Sequence, residues 1–128
     1  MPLNYKINPA ERLVHVQAEG AVRLQDILDY LDEVAAGDAM PYGKLFDTSG
    51  AQFELTDADM MVLGARVSAY AAMEPRGPVA LVVNDDPHND LARRFTNLGG
   101  AKRPARIFRD VRLARAWLAE EGARDGSS

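Results

Sequence analysis

The sequence predicts an α/β domain: a mostly parallel five-stranded sheet opened by an antiparallel hairpin, in the order ββαβαβαβα. Three observations carry this. The chain begins with two segments of period-two alternation separated by turn residues. From Leu24 onward, helical periodicity alternates with short apolar runs. One of those runs, Val79–Val83, is apolar at every position, as expected of a strand covered on both faces. Strand–helix alternation implies right-handed crossovers and parallel pairing.

In the first predicted strand, Leu3–Asn8, residues Leu3, Tyr5 and Ile7 alternate with polar ones. In the second, Arg12–Glu19, Val14, Val16 and Ala18 do the same. Asn8-Pro9-Ala10-Glu11 between them is turn chemistry, since proline fixes φ and cannot donate to a ladder. His15 falls on the polar face and reads as an ordinary strand-surface histidine. Leu24–Ala36 is an amphipathic helix with Leu24, Ile27, Leu28, Leu31 and Ala35 on one side and Asp26, Asp29, Asp32 and Glu33 largely off it. Gly37 and Pro41 end it.

Lys44–Thr48 is a short predicted strand, followed by a polar loop. Thr56 is a good helix N-cap, and Asp57 and Asp59 suit the positive end of the helix dipole. The helix runs to Met73 with Met60, Leu63, Val67, Tyr70 and Ala71 inward. Pro75-Arg76-Gly77-Pro78 breaks it before Val79–Val83. The next helix is expected over His88–Leu98, with Leu91, Phe95 and Leu98 inward, stopped by Gly99-Gly100. Arg106–Phe108 is the last strand. Asp110 caps a final helix bearing Val111, Leu113, Ala114, Trp117 and Leu118 on its core side. Residues 1–121 form one expected domain, and 122–128 a flexible polar tail. The second strand alternates strictly while the fourth is apolar throughout, so the two sheet faces are unequally covered. A partner chain could close the open part, and a homodimer is expected.

Composition narrows the function. At 128 residues with 47% apolar content, the chain can bury a real core. A net charge of −4 argues against nucleic acid, which needs Lys and Arg to neutralise phosphate. Without cysteine there is no disulfide, thiolate nucleophile or Cys-ligated metal, and two histidines make a His-rich site unexpected. No apolar run reaches the roughly 18 residues of a membrane span. The opening MPLNYKINPAER lacks the apolar core of a secretory signal, so the expected location is cytoplasmic.

No local motif joins a nucleophile to a base, and no glycine-rich loop precedes a helix to cradle phosphate. An enzyme is not expected, nor is a cofactor. His88 with Asp85, Asp86 and Asp90 reads as a polar helix start rather than a base or metal site. The carboxyl ends of the parallel strands gather Asp47, Thr48, Ser49, Asn84, Asp85 and Arg109 on one rim, where α/β folds place ligands and partners. A partner protein or a small ligand is expected there. Met60, Met61, Met73, Tyr42 and Tyr70 offer a pliable apolar lining for a small-molecule or lipid carrier, the alternative reading.

The opening hairpin, the helix LQDILDYLDEVAA, the strand KLFDTSG, the helix start ELTDADM, the strand PVALVVN and the closing RIFRDVRLARAWL together resemble the SpoIIAA-like superfamily, which includes the STAS domains. The likeness spans about Leu3 to Ala119 and is closest to the small stand-alone bacterial members. It implies an open sheet built as a right-handed β–α superhelix, a fold shared with lipid-binding CRAL-TRIO domains. It also implies a regulatory or protein-interaction module rather than an enzyme. The family's known switch, that of an anti-sigma factor antagonist, is a serine phosphorylated near the start of the helix after this strand. Asp47-Thr48-Ser49-Gly50 imitates that motif but is expected to end the strand. The aligned position falls at Thr56-Asp57-Ala58, where Thr56 alone has a hydroxyl and is needed as N-cap. Phosphate there would face Glu54, Asp57 and Asp59. A working phosphoserine switch is therefore not expected, and a phospho-regulated anti-sigma factor antagonist stands as a second alternative.

Overall fold

The structure, a computed structural model, describes residues 2–73, 77–96 and 104–126. The elements are β1 (Leu3–Asn8), β2 (Leu13–Arg23), α1 (Leu24–Ala36), β3 (Gly43–Glu54), α2 (Asp57–Met73), β4 (Val79–Val82), α3 (Asp86–Thr96), β5 (Ala105–Phe108) and α4 (Val111–Gly126). The predicted breaks at Pro75-Arg76 and Gly99-Gly100, the inward Leu98 and the side chain of His88 lie outside the described residues. The strands lie side by side in chain order, β1-β2-β3-β4-β5. β1 runs antiparallel to β2, and the later pairs are parallel. Each crossover helix thus carries the chain one strand further across the sheet, which generates a β–α superhelix of the predicted order.

The hairpin closes as its residues require. The Asn8 side chain accepts from Glu11 N at 3.2 Å, and Arg12 N donates to Pro9 O at 3.2 Å. β2 is longer than its alternation suggested, running on through Gly20 to Arg23. β3 differs more. Asp47-Thr48-Ser49-Gly50 does not end it; the strand continues to Glu54. The register explains why. Gln17 is opposite Asp47 and Glu19 opposite Gly50, so Ala18 faces two residues, Thr48 and Ser49. This is a β-bulge, and one extra residue switches which side chains face the core. Before it Phe46 and Thr48 face the crossover helices, and after it Ala51 and Phe53 do. Polar bulge residues look like a loop in sequence because they interrupt the alternation.

α1, α2 and α3 pack on one face of the sheet. There Val14, Val16, Ala18 and Val22 of β2 meet Ile27, Leu28, Tyr30 and Val34 of α1 and Leu63 and Val67 of α2. Tyr30 stands edge-on to Tyr5 at 5.4 Å and to Phe46 at 5.8 Å. Asp32 of α1 accepts from Arg66 at 2.7 Å and from the Tyr70 hydroxyl, which ties α1 to α2. Those bonds, the tyrosine's first, hold the Asp32 carboxyl below its ordinary range and push the Tyr70 phenol up. The other face carries α4 alone among the described helices, with Ala114, Trp117 and Leu118 on Leu45, Ala80 and Val82. The uneven coverage expected from the strands is present, since α4 sits over β3, β4 and β5. On β1 and β2 the same face shows Lys6 and Gln17 exposed.

Leu113, expected inward, is 61% exposed, because Val111, Ala114, Trp117 and Leu118 already complete the inward stripe. α4 continues through Gly122 to Gly126. Gly122 has open space around it, so nothing nearby forces a break there.

The segment before β4 sits hard against the α1–β3 loop. Gly77 N donates to Met40 O at 2.9 Å, and a Cβ at Gly77 would lie 2.1 Å from Tyr42 O and 2.4 Å from Pro41 O. Those are backbone atoms with little freedom to yield. Gly77→Ala is expected to destabilise the fold by about 1–3 kcal/mol, read as a lower urea midpoint; an unchanged midpoint would contradict this close approach.

Candidate functional site

The rim residues sit where parallel register puts them. Asp47, Val82 and Phe108 are aligned across β3, β4 and β5, so Thr48, Ser49, Asn84, Asp85 and Arg109 follow at one end of the sheet. The bulge then sorts them. Asp47 Oδ1 accepts from Ser49 N at 3.0 Å and from Ser49 Oγ at 2.7 Å. Asn84 Nδ2 reaches Ser49 O at 3.5 Å. Thr48 turns the other way, is buried, and donates from Oγ1 to Val82 O at 2.8 Å. The Asp85 carbonyl accepts Asn89 N at 3.0 Å at the start of α3. Arg109 is exposed just beyond β5. Asp47, Ser49 and Asn84 therefore form one hydrogen-bonded clip around the bulge, while Thr48 belongs to the interior.

Thr56 and Asp57 lie at the start of α2. Thr56 Oγ1 accepts from Asp59 N at 3.0 Å, and Asp59 Oδ2 accepts from Thr56 N at 3.0 Å, a reciprocal capping box. Asp57 pairs with Arg94 of α3 at 2.9 Å, both exposed.

His15 lies half-buried on the α4 side of β2, with Arg115 Nη2 at 3.4 Å from its Nδ1. Its pKa is lowered, first by burial, then by the Arg115 guanidinium; Asp47 opposes this and Lys6 adds to it. Ser49 Oγ meets Asp47 rather than an imidazole, so the carboxylate stands where a nucleophile's base would have to be. Among the described residues no group of three or more His, Asp or Glu side chains is placed to hold a metal ion.

The interior holds a feature that the sequence did not announce. Between the sheet and α1, α2 and α3 is a cavity of about 100 Å3. Its sheet wall includes Lys44, Phe46 and Thr48, and its helical wall includes Tyr30, Leu63 and Phe95. None of Met60, Met61, Met73, Tyr42 and Tyr70 lines it. Met60 is buried elsewhere, and Met61 and Met73 point to solvent. Lys44 is the residue that sequence reasoning missed. Its signal was a lysine two and four residues before Phe46 and Thr48, on the same strand face.

A structure with the same architecture is known. The crystal structure of an uncharacterized protein of the DUF3478 family, with a SpoIIAA-like fold, from Shewanella loihica PV-4 superposes with a TM-score of 0.60. The two are 17% identical, and the match covers 91% of each chain. This protein has the SpoIIAA-like fold. At that identity the likeness extends to the fold alone. No protein-family model matches the chain, and no curated protein is similar to it in sequence. No helix among the described residues is long and apolar enough to cross a membrane.

Two expectations follow from this geometry. Thr56→Ala is expected to cost about 1 kcal/mol through loss of the cap, with Thr56→Ser near wild type in chemical unfolding; equal losses would contradict the capping role. The fold lowers the His15 pKa, so the unfolded chain takes up a proton first as pH drops. Its contribution is present above its ordinary value of 6.5 and is lost as pH falls below it. His15→Gln is expected to flatten the decline in stability between about pH 7.5 and pH 5.5; an unaltered slope would remove His15 as its source.

Proposed function

We propose that the protein is a non-enzymatic interaction module of SpoIIAA/STAS kind that works as a homodimer joined along the outward face of α2. The observation that carries this is the exposure of Met61 at 77%, Met73 at 76% and Val62 at 48% on that helix. With Ala65, Ala69 and Ala72, also exposed, they fall within an arc of about 120°. The inward stripe of Met60, Leu63 and Val67 lies opposite. A helix apolar on both sides is one that is covered on both sides.

A second copy fits this stripe because its spacing is self-complementary. Met61 and Met73, Val62 and Ala72, and Ala65 and Ala69 each lie equal distances either side of Val67. Two such helices crossing antiparallel about a twofold axis would bring Met61 of one against Met73 of the other. The alanines would sit at the centre, where helices need small residues to approach closely. The polar surface left open on β1 and β2 is a poorer interface, since Lys6 and Gln17 would lose water there. The binding role itself falls to the bulge clip at Asp47, Ser49 and Asn84, with Asp85 and Arg109 along the same edge, as the surface for a partner protein.

Other readings have less support. A lipid carrier needs a cavity of roughly 300 Å3 or more, and this one is about 100 Å3. A phosphorylation switch at Thr56 would use the hydroxyl that caps α2 and would set phosphate beside Asp57 and Asp59.

Sedimentation equilibrium at tens of micromolar should give twice the 14.0 kDa chain mass. Paired Met61→Glu and Met73→Glu substitutions should give the monomer with an unchanged circular-dichroism spectrum. A monomeric wild-type chain would sink the dimer.

A further inference from the structure

The cavity on the crossover side of the sheet is not a sealed void. Its inner wall is fully buried, with Leu63 and Val67 of α2 facing Leu81 of β4. Leu31 of α1, Val79 of β4, Leu91 and Phe95 of α3 and Ala105 of β5 are only half-buried and form its outer part. The space is therefore partly open to solvent. Phe95 is held at this outer part by an edge contact with Phe53 at 6.3 Å. Native interiors leave few spaces larger than a water molecule, so an opening of about 100 Å3 between packed layers calls for an occupant.

The polar groups of the wall are engaged within the protein. Thr48 Oγ1 donates to Val82 O at 2.8 Å, and Thr96 Oγ1 donates to Arg93 O at 2.8 Å. Lys44 donates to the Met40 carbonyl and has a further interaction besides. What faces the space is mostly hydrocarbon, from Ile27, Leu63, Val67 and Leu81 and the rings of Phe46 and Phe95. An ion or a strongly polar guest would give up its water there for little in return. Water itself needs about two to four polar partners to stay in such a place. The wall therefore suits an apolar group.

We propose that this cavity is an anchor pocket for one leucine side chain of a partner polypeptide, which enters past Leu91 and Phe95 while its backbone stays outside. Size picks the side chain. An apolar cavity of about 150 Å3 admits benzene, so about 100 Å3 holds roughly four carbon atoms. That is a leucine side chain; alanine leaves most of the space empty, and phenylalanine overfills it. The partial opening favours a side chain over a free molecule. So small a guest buries little surface by itself, but gains when it is carried by a backbone that makes further contacts around the mouth. The proposal rests on the reading of the protein as an interaction module and supplies the partner's chemistry. It uses neither the dimer nor the clip at Asp47: the pocket lies on the inner side of α2, and its outer part includes Val79 and Ala105 at the amino ends of β4 and β5.

The test is an amide chemical-shift titration of the full chain with N-acetyl-leucinamide, N-acetyl-alaninamide, N-acetyl-phenylalaninamide and isobutanol. The expected result is saturable binding of the leucine compound, about tenfold tighter than either other amide and tighter than isobutanol. The shifted amides should cluster at Leu63, Leu81 and Ala92. Ala92→Leu, which places a larger side chain in the wall from α3, should abolish that binding. Leu91→Ala, which widens the outer part, should reverse the order, so that the phenylalanine compound binds tighter than the leucine one. This second variant decides the size argument if Ala92→Leu fails to fold, and an unchanged order in it overturns that argument. No saturable shifts with the leucine compound, or equal binding of the three amides, overturns the pocket. Isobutanol binding as tightly as the leucine compound overturns the partner side chain and gives the space to a free small molecule. Sedimentation reads the dimer separately, so a monomer that binds the leucine compound and a dimer that does not are distinct results.

Discussion

The parallel pairing of β3 with β2, from Leu13 opposite Gly43 to Arg23 opposite Glu54, is the interaction on which the rest of this structure depends. β3 lies at the centre of the sheet and, like β4, serves both faces. Leu45, fully buried, anchors α4 through Trp117 and Leu118. Phe46 stands in the opposite layer against Tyr30. Because β4 pairs with β3 only along Lys44–Asp47, the later half of β3 has β2 as its one strand partner among the described residues. That half extends beyond the end of β4 and delivers the chain to Thr56, where α2 starts. Without the bulge, Ala51 and Phe53 would face away from the core and Gln52 would face into it.

The bulge therefore links fold to site. It makes the strand bend where parallel strands end, and it spends the polar groups of Asp47, Ser49 and Asn84 on one another. It also turns Thr48 inward, so that the cavity has a hydroxyl at one end and Lys44 at the other. α2 joins these features. Its inner face forms part of the cavity wall, its first turn is fixed by the Thr56–Asp59 box, and its outer face is apolar and open to solvent.

The two faces of the sheet divide the labour of stability. The crossover side carries the larger core, with edge-on aromatic contacts from Tyr5 through Tyr30 to Phe46 and the Asp32 tie between α1 and α2. The α4 side is a smaller patch centred on Trp117, with Arg106 over the rings of Phe108 and Trp117 at 5.3 Å and 6.0 Å. That cation shields part of the aromatic surface at the sheet's β5 edge, as arginine over a ring can do without losing its water.

Local patterning alone determined much of this protein: β1 at Leu3–Asn8, α1 at Leu24–Ala36, the capped start of α2, the doubly apolar β4 and the order of the elements. Each follows from side-chain period, capping chemistry or a breaking residue, which act over a few positions and are visible in a string of letters. The continuation of β3 through Asp47-Thr48-Ser49-Gly50 was not visible, because it is decided by what lies opposite on β2 rather than by β3's own residues. Leu113 was misplaced for the same reason: whether an apolar residue is covered depends on which neighbours have already filled the space. The cavity and its lysine belong wholly to the tertiary level. The space is bounded by side chains from the sheet and from α1, α2 and α3, which only the assembled layers bring together. A lysine in a strand reads as surface until the layer above it is in place.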